Sequence, residues 1–128
     1  MGEGPIVSGR LHQVALKASD IDASVGFYRD ALGLKLIARF DPPGLAFFNL
    51  NGTRLMLSPN SSEGTLYFPV HDLDAAVARL RAMGIAIVNE PALVHRDDAG
   101  QFGKPGEEEW MAFVRDPAGN LIGLAVRR

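Results

Sequence analysis

At 128 residues the chain can bury one hydrophobic core but not two independent ones. Apolar residues at 47% and charged residues at 22% are ordinary for a soluble globular protein, and a formal net charge of −2 gives no reason to expect nucleic acid or a membrane surface as partner. The absence of cysteine excludes a disulfide framework, a thiolate nucleophile and Cys-ligated zinc, and suits a cytoplasmic location.

Residues 1–9 lack a basic segment followed by a long apolar run, so they read as a loose arm rather than a signal peptide. No later stretch approaches the ~20 apolar residues that a membrane helix needs. Residues 11–18 alternate as a strand, with Val14, Leu16 and Ala18 on one face and Gln13, Ala15 and Lys17 on the other. The apolar face is expected to meet the helix that follows. Asp20 is the expected N-cap of that helix, Ile21, Val25, Tyr28 and Leu32 recur at helical spacing, and Gly33 supplies the stop. Residues 34–40 read as a strand ended by Asp41-Pro-Pro-Gly44. Residues 45–50 and 53–58 read as a hairpin turning at Asn51-Gly52.

The polar run 59–64 reads as a linker between units of one domain. After it the opening pattern returns in degraded form: Gln13 corresponds to Thr65, Asp20 to Asp72, Ile21 to Leu73 and Asp22 to Asp74. This predicts a strand over 65–70, a helix over about 73–83 capped by Asp72, and a strand over 85–89. Residues 91–108 form a long, largely polar segment, of the kind that serves as a lid or binding loop or is disordered. A final hairpin runs from Glu109–Arg115 through Asp116-Pro-Ala-Gly119 to Asn120–Val126. The repeat aligns Phe48 with Phe113, Met56 with Gly123 and Leu57 with Leu124. The chain is thus a tandem of two β-α-β-β-β units, about 10–58 and 65–127, within a single domain.

Two such units, each opening on strand-x-x-Asp-hydrophobic-Asp and the first continuing into Phe27-Tyr-Arg-Asp-Ala-Leu-Gly33, resemble the vicinal oxygen chelate superfamily, the glyoxalase, bleomycin-resistance and extradiol-dioxygenase fold. The turn Phe113-Val-Arg-Asp-Pro-Ala-Gly-Asn120 adds to the likeness, which covers nearly the whole chain. The resemblance implies an α+β fold whose mostly antiparallel mixed sheet forms a cup with helices on its convex side. It also implies a homodimer, to which the arm 1–9 could contribute by reaching across.

Metal-using members of that superfamily place four inward ligands on the cup. Counting back seven residues from each capping Asp gives Gln13 and Thr65, and the repeat and final strand give Met56 and Gly123. None is a His or a carboxylate, so the usual metal centre and any cofactor are expected to be absent. A one-residue slip would bring His12 to the ligand position, at the cost of turning Lys17 under the helix.

The expected ligand-binding surface comprises Gln13, Lys17, Phe48, Arg54, Met56, Thr65, Tyr67, Met111 and Phe113, with Ala15 and Gly123 between them. It is aromatic and Met-rich with a few polar handles, as suits a hydrophobic or aromatic small molecule. Arg54 or Lys17 could hold an anionic group. Glu109, His95 and Tyr67 are the catalytic candidates, with Arg96, Asp97, Asp98, Glu107 and Glu108 nearby. Strand parity points Glu109 toward the cup and Trp110 away from it, beneath a helix or into a subunit interface. No Ser-His-Asp order, P-loop or dinucleotide motif is present. Three functions are compatible with these residues: a metal-free small-molecule binder, which the missing ligands favour; an enzyme of the same fold, such as a lyase, isomerase, epimerase or dioxygenase, using loop acid–base residues or an atypical metal site; and a non-catalytic interaction domain.

Overall fold

Both helices begin where the sequence places an aspartate. Asp20 Oδ1 accepts the Ala23 N–H at 3.1 Å, and Asp72 Oδ1 accepts the Ala75 N–H at 3.0 Å. Each cap satisfies an amide that the first turn leaves without a helical partner. The computed structural model describes residues 4–128, and the chain divides into two units, 1–62 and 63–128, the boundary falling inside the polar run 59–64. Of the N-terminal arm, residues 1–3 lie outside the described residues, and 4–9 are exposed and form neither strand nor helix.

The first unit contains β1 (Gln13–Lys17), α1 (Ile21–Gly26) running into a π-helical turn (Phe27–Ala31), β2 (Lys35–Phe40), β3 (Leu45–Leu50) and β4 (Thr53–Ser58). Its sheet order is β1-β4-β3-β2, with β1 parallel to β4 and the other neighbours antiparallel. The expected single helix is modified. Leu32 N–H reaches back to Phe27 O at 3.0 Å, and this wider turn buries two consecutive aromatic residues, Phe27 and Tyr28. Tyr28 packs edge-on against Phe27, centroids 5.1 Å apart, and in a tilted arrangement against Phe48 at 5.8 Å. At the β3–β4 turn both Asn51 and Gly52 have positive φ, 54° and 102°, as a two-residue hairpin of primed type requires.

The register of this sheet assigns its faces. Val14 pairs with Leu55, Leu16 with Leu57, and Phe48 with Leu55, which puts Leu16, Phe48, Leu55 and Leu57 in the buried layer under the helix. Phe48 is therefore not on the helix-free face, as the sequence suggested. Phe47 takes that place, opposite Met56.

The reason lies in the turns. In the second unit Asp116 N–H donates to Asn120 O, closing a loop of three residues where the first hairpin has two. The correspondence between units is consequently Phe47 with Phe113 before the turn and Met56 with Gly123 after it. One misplaced residue in a strand exchanges its faces.

The second unit contains β5 (Thr65–Pro69), α2 (Leu73–Ala82), β6 (Ile87–Asp97), β7 (Glu107–Arg115) and β8 (Leu121–Arg127), in sheet order β5-β8-β7-β6. Its core beneath α2 is Leu73, Val77, Leu80, Ala112, Val114, Ile122 and Leu124. The turn before β8 is fixed by a buried pair. Asp116 Oδ1 accepts the N–H groups of Ala118 and Asn120, its Oδ2 accepts Asn120 Nδ2 at 2.7 Å, and Asn120 Oδ1 accepts the Gly64 N–H at 2.9 Å.

The long polar segment is not a lid. Residues 91–97 continue β6, an eleven-residue edge strand paired with β7 through several register shifts, and only 98–106 remain as a connecting loop. That loop is built around Asp97, 1% exposed, whose carboxylate accepts the N–H groups of Gln101 and Phe102 at 2.8 and 2.9 Å.

Candidate functional site

Each sheet buries one face under its helix and leaves the other free of helix. In the first unit the free face carries Gln13, Ala15 and Lys17 from β1, Arg54 and Met56 from β4, and Phe47 from β3. The Gln13 amide nitrogen lies 3.8 Å from Met56 Sδ, while its buried Oε1 has no hydrogen-bond partner among the described residues. Gln13 is in register with Arg54, so the strand has not slipped, and Lys17 stays half-buried on the free face. His12 nonetheless reaches this face from just outside the strand: Arg54 Nη2 donates to its Nε2 at 3.1 Å. The same guanidinium lies over the Phe47 ring, 5.8 Å from its centroid. Arg54 is thus held between an imidazole and an aromatic face.

In the second unit the free face brings together Thr65, Tyr67 and Pro69 from β5, Gly123, Ala125 and Arg127 from β8, and Glu109, Met111 and Phe113 from β7. Tyr67 is 58% exposed, and its ring meets Phe113 edge-on, centroids 5.9 Å apart. The two rings close over Gly123, where a Cβ would stand 2.6 Å from Tyr67 Cδ2 and 2.9 Å from Phe113 Cε2. Only a residue without a side chain lets both rings lie so close to the sheet.

Two strand pairs further along, His95, Glu109 and Arg127 stand side by side on β6, β7 and β8. The His95 ring packs edge-on against Phe102 at 5.9 Å. Arg127 Nη2 donates to Asp97 Oδ2 at 2.9 Å, and Nε to Glu107 Oε1 at 3.3 Å. Nη1 is 4.0 Å from Glu109 Oε2 and makes no hydrogen bond among the described residues, although it is buried. The loop closes over this guanidinium at Gly103, where a Cβ would stand 3.0 Å from Nη2.

Burial pushes the Asp97 carboxyl up, but the N–H groups of Phe102 and Gln101 together with Arg127 outweigh it and hold the group below the ordinary carboxylate range. The bond to Asp97 raises Arg127 in turn. Asp97 is therefore a fixed counter-charge rather than a free acid or base. Beside the pair lies a shallow groove of about 430 Å³, with Pro69, Val70 and Ala125 on its apolar side and His71, Glu109 and Arg127 on its polar side.

The sequence did not single out Phe47, His71 or Arg127. Arg127 was within reach, since it continues the alternation of Gly123 and Ala125 along β8. Trp110 turns away from the free face as expected, with its indole N–H on Glu108 Oε1 at 3.0 Å and the Arg128 guanidinium 4.5 Å from its ring centroid.

A model of the Glyoxalase/Bleomycin resistance protein/Dioxygenase superfamily matches residues 10–124. The chain belongs to this superfamily. Among solved structures with the glyoxalase fold, it is similar to a lactoylglutathione lyase from Agrobacterium tumefaciens, with 27% identity and a TM-score of 0.66 over 91% of this chain and 92% of that one. A virulence protein from Salmonella typhimurium shares 22% identity with a TM-score of 0.72, over 94% and 98% of the two chains. A glyoxalase/bleomycin resistance protein/dioxygenase from Alicyclobacillus acidocaldarius shares 20% with a TM-score of 0.64, over 91% and 90%. No curated protein matches the chain.

The positions that the superfamily resemblance assigns to metal ligands are occupied by Gln13, Met56, Thr65 and Gly123. This donor set does not fit a divalent cation: it offers one amide, one thioether, one hydroxyl and no side chain at the fourth position. At Gly123 the space into which a ligand would project is filled by the Tyr67 and Phe113 rings. Among the described residues, no three His, Asp or Glu side chains are grouped to hold a metal elsewhere. No helix among them is long and apolar enough to cross a membrane.

Proposed function

We propose that this superfamily member binds a hydrophobic or aromatic small molecule on the helix-free faces of its sheets, and does so without a metal. The observation that carries the reading is the replacement of the fourth ligand position by Gly123 beneath an exposed Tyr67–Phe113 pair. Such a pair presents a ring face and ring edges for stacking. Thr65 and Met111 on the same sheet supply further contact, and the free face of the first unit offers a surface of like character in Gln13, Phe47, Arg54 and Met56. The reading extends to a homodimer, as the resemblance suggests, without cofactor, as the residues at the ligand positions suggest, and in the cytoplasm, as the lack of cysteine suggests. Sedimentation velocity giving a monomer would remove the dimer from it.

The test is metal analysis of protein purified without added metal or chelator, then thermal-shift titration with Zn²⁺, Ni²⁺, Mn²⁺ and Fe²⁺ and with a panel of aromatic compounds. A ligand that binds only the folded state raises the melting temperature by mass action. Stabilisation by aromatic compounds that is lost in Tyr67→Ala, with no metal response, is the expected result. A stoichiometric tightly bound metal overturns the metal-free reading.

A further inference from the structure

We propose that the helix-free face of the first unit selects aromatic carboxylic acids, with Arg54 binding the carboxylate and the surface of Phe47 and Met56 taking the ring. Such a site presupposes that ring compounds bind the helix-free faces, as proposed above, and adds the charge of the compound. Arg54 is exposed, so a ligand on this face reaches its guanidinium directly.

Three observations point to an anion. First, Arg54 is positioned but not neutralised. Its Nη2 donates to His12 Nε2 at 3.1 Å and its guanidinium lies over the Phe47 ring, yet it has no carboxylate partner among the described residues. A guanidinium cannot accept a hydrogen bond, so His12 takes this one through a ring lone pair and leaves the charge of Arg54 uncancelled. The contact uses one N–H of Nη2, so one full edge of the fork stays open for the two oxygens of a carboxylate. Second, the strands β1–β4 contain Lys17, Lys35, Arg39 and Arg54 and no Asp or Glu. Arg39 is matched by Asp22 and Asp41, which lie outside the sheet. Lys35 and Asn49 stand in one row with Arg54, and Asn49 Oδ1 is taken by the Gly52 N–H, so this row offers a ligand donors and positive charge. Third, the free face of the second unit has the opposite balance. Asp97, Glu107 and Glu109 surround Arg127, so that guanidinium is already matched by carboxylates and an acidic ligand gains more at Arg54. Phe47 and Met56, opposite each other beside Arg54, give the ring an apolar, polarisable surface.

The experiment titrates the full chain with benzoate, benzamide and benzylamine, three probes of nearly equal shape, following the backbone amide resonances of Phe47, Asn49, Arg54 and Met56. Benzoate is expected to shift these resonances saturably and to bind about tenfold more tightly than benzamide, with benzylamine weaker still. Arg54→Met, which keeps the apolar stem and removes the fork, is expected to abolish the preference for benzoate. Arg54→Lys, which keeps the charge but not the paired N–H groups, is expected to bind benzoate about threefold more weakly than the wild type. Equal affinities for benzoate and benzamide, an undiminished preference in Arg54→Met, or a benzoate affinity unchanged in Arg54→Lys would each overturn the proposal. Probes that perturb only the resonances of Tyr67, Phe113 and Gly123 refute it while leaving the aromatic-platform reading in place, and no shift with any probe removes both.

Discussion

Arg127 Nη2 lies 2.9 Å from Oδ2 of Asp97, a carboxylate only 1% exposed and thirty residues away in the chain. The contact ties the last strand to the loop after β6. It makes part of a segment that reads in sequence as a lid, a binding loop or a disordered stretch into the support for a groove-lining cation.

Stability should report this pair through pH. The Asp97 carboxyl sits lower in the folded state than in the unfolded chain, so on acidification the unfolded state binds the proton first. The contribution is fully present above the unfolded aspartate value, about 3.9, and is lost as pH falls through the lower folded value. Asp97→Asn should therefore melt below the wild type by a constant margin from neutral pH down to about pH 5, and the margin should shrink below about pH 4. Melting curves by circular dichroism across that range decide it, and a margin that persists unchanged into strong acid would refute the assignment.

The face exchange at β3 makes a comparison of neighbours informative. Phe48 is fully buried against Tyr28, so Phe48→Ala should cost about 3–5 kcal/mol. Phe47 is half-buried on the free face, beside Phe40 and Arg54, and Phe47→Ala should cost about 1 kcal/mol. Urea unfolding of the two variants measures the difference. Equal losses would mean that the register given for β3 is wrong.

At Gly123 the two rings leave no room for a methyl group. Gly123→Ala should destabilise by about 1–2 kcal/mol, because at least one ring must move. In a Tyr67→Ala background the closer obstruction is gone, and the same change should cost clearly less. A double-mutant cycle from denaturant midpoints reads the coupling, and additivity within about 0.5 kcal/mol would contradict the packing described.

Much of this architecture is legible in the residues. Asp20 and Asp72 announce the helix starts because a carboxylate beside free amides has few better places to be. Asn51-Gly52 announces a tight hairpin because its two residues tolerate positive φ. The alternation of β1, β4, β5 and β7 assigns their faces, and with them Gln13, Arg54, Met56, Thr65, Tyr67, Met111 and Phe113. What resists reading depends on partners distant in sequence. His95-Arg-Asp97 looks like part of a loop because β6 is an edge strand with almost no buried side chains there, so pairing with β7 rather than apolar alternation makes it a strand. Phe47 and Phe48 are chemically identical, and the two-residue turn at Asn51-Gly52, which sets Phe47 opposite Met56 and Phe48 opposite Leu55, tells which one is buried. The π-helical turn has no compositional mark either, since Phe27 and Tyr28 would suit an ordinary helix.

The three-residue turn between Asp116 and Asn120 also governs how the duplicated halves can be recombined. A chimera that exchanges a whole hairpin, both strands with their own turn, inherits a consistent inside and outside. A chimera joined within the turn inherits one strand from each parent and must choose a loop length that suits only one of them. The wrong choice would carry Ile122 and Leu124, or Leu55 and Leu57, out of the core in a single step. The hairpin is therefore the smallest segment that can be transferred between the halves, and shuffled libraries should retain folded members mainly where the junctions fall outside it.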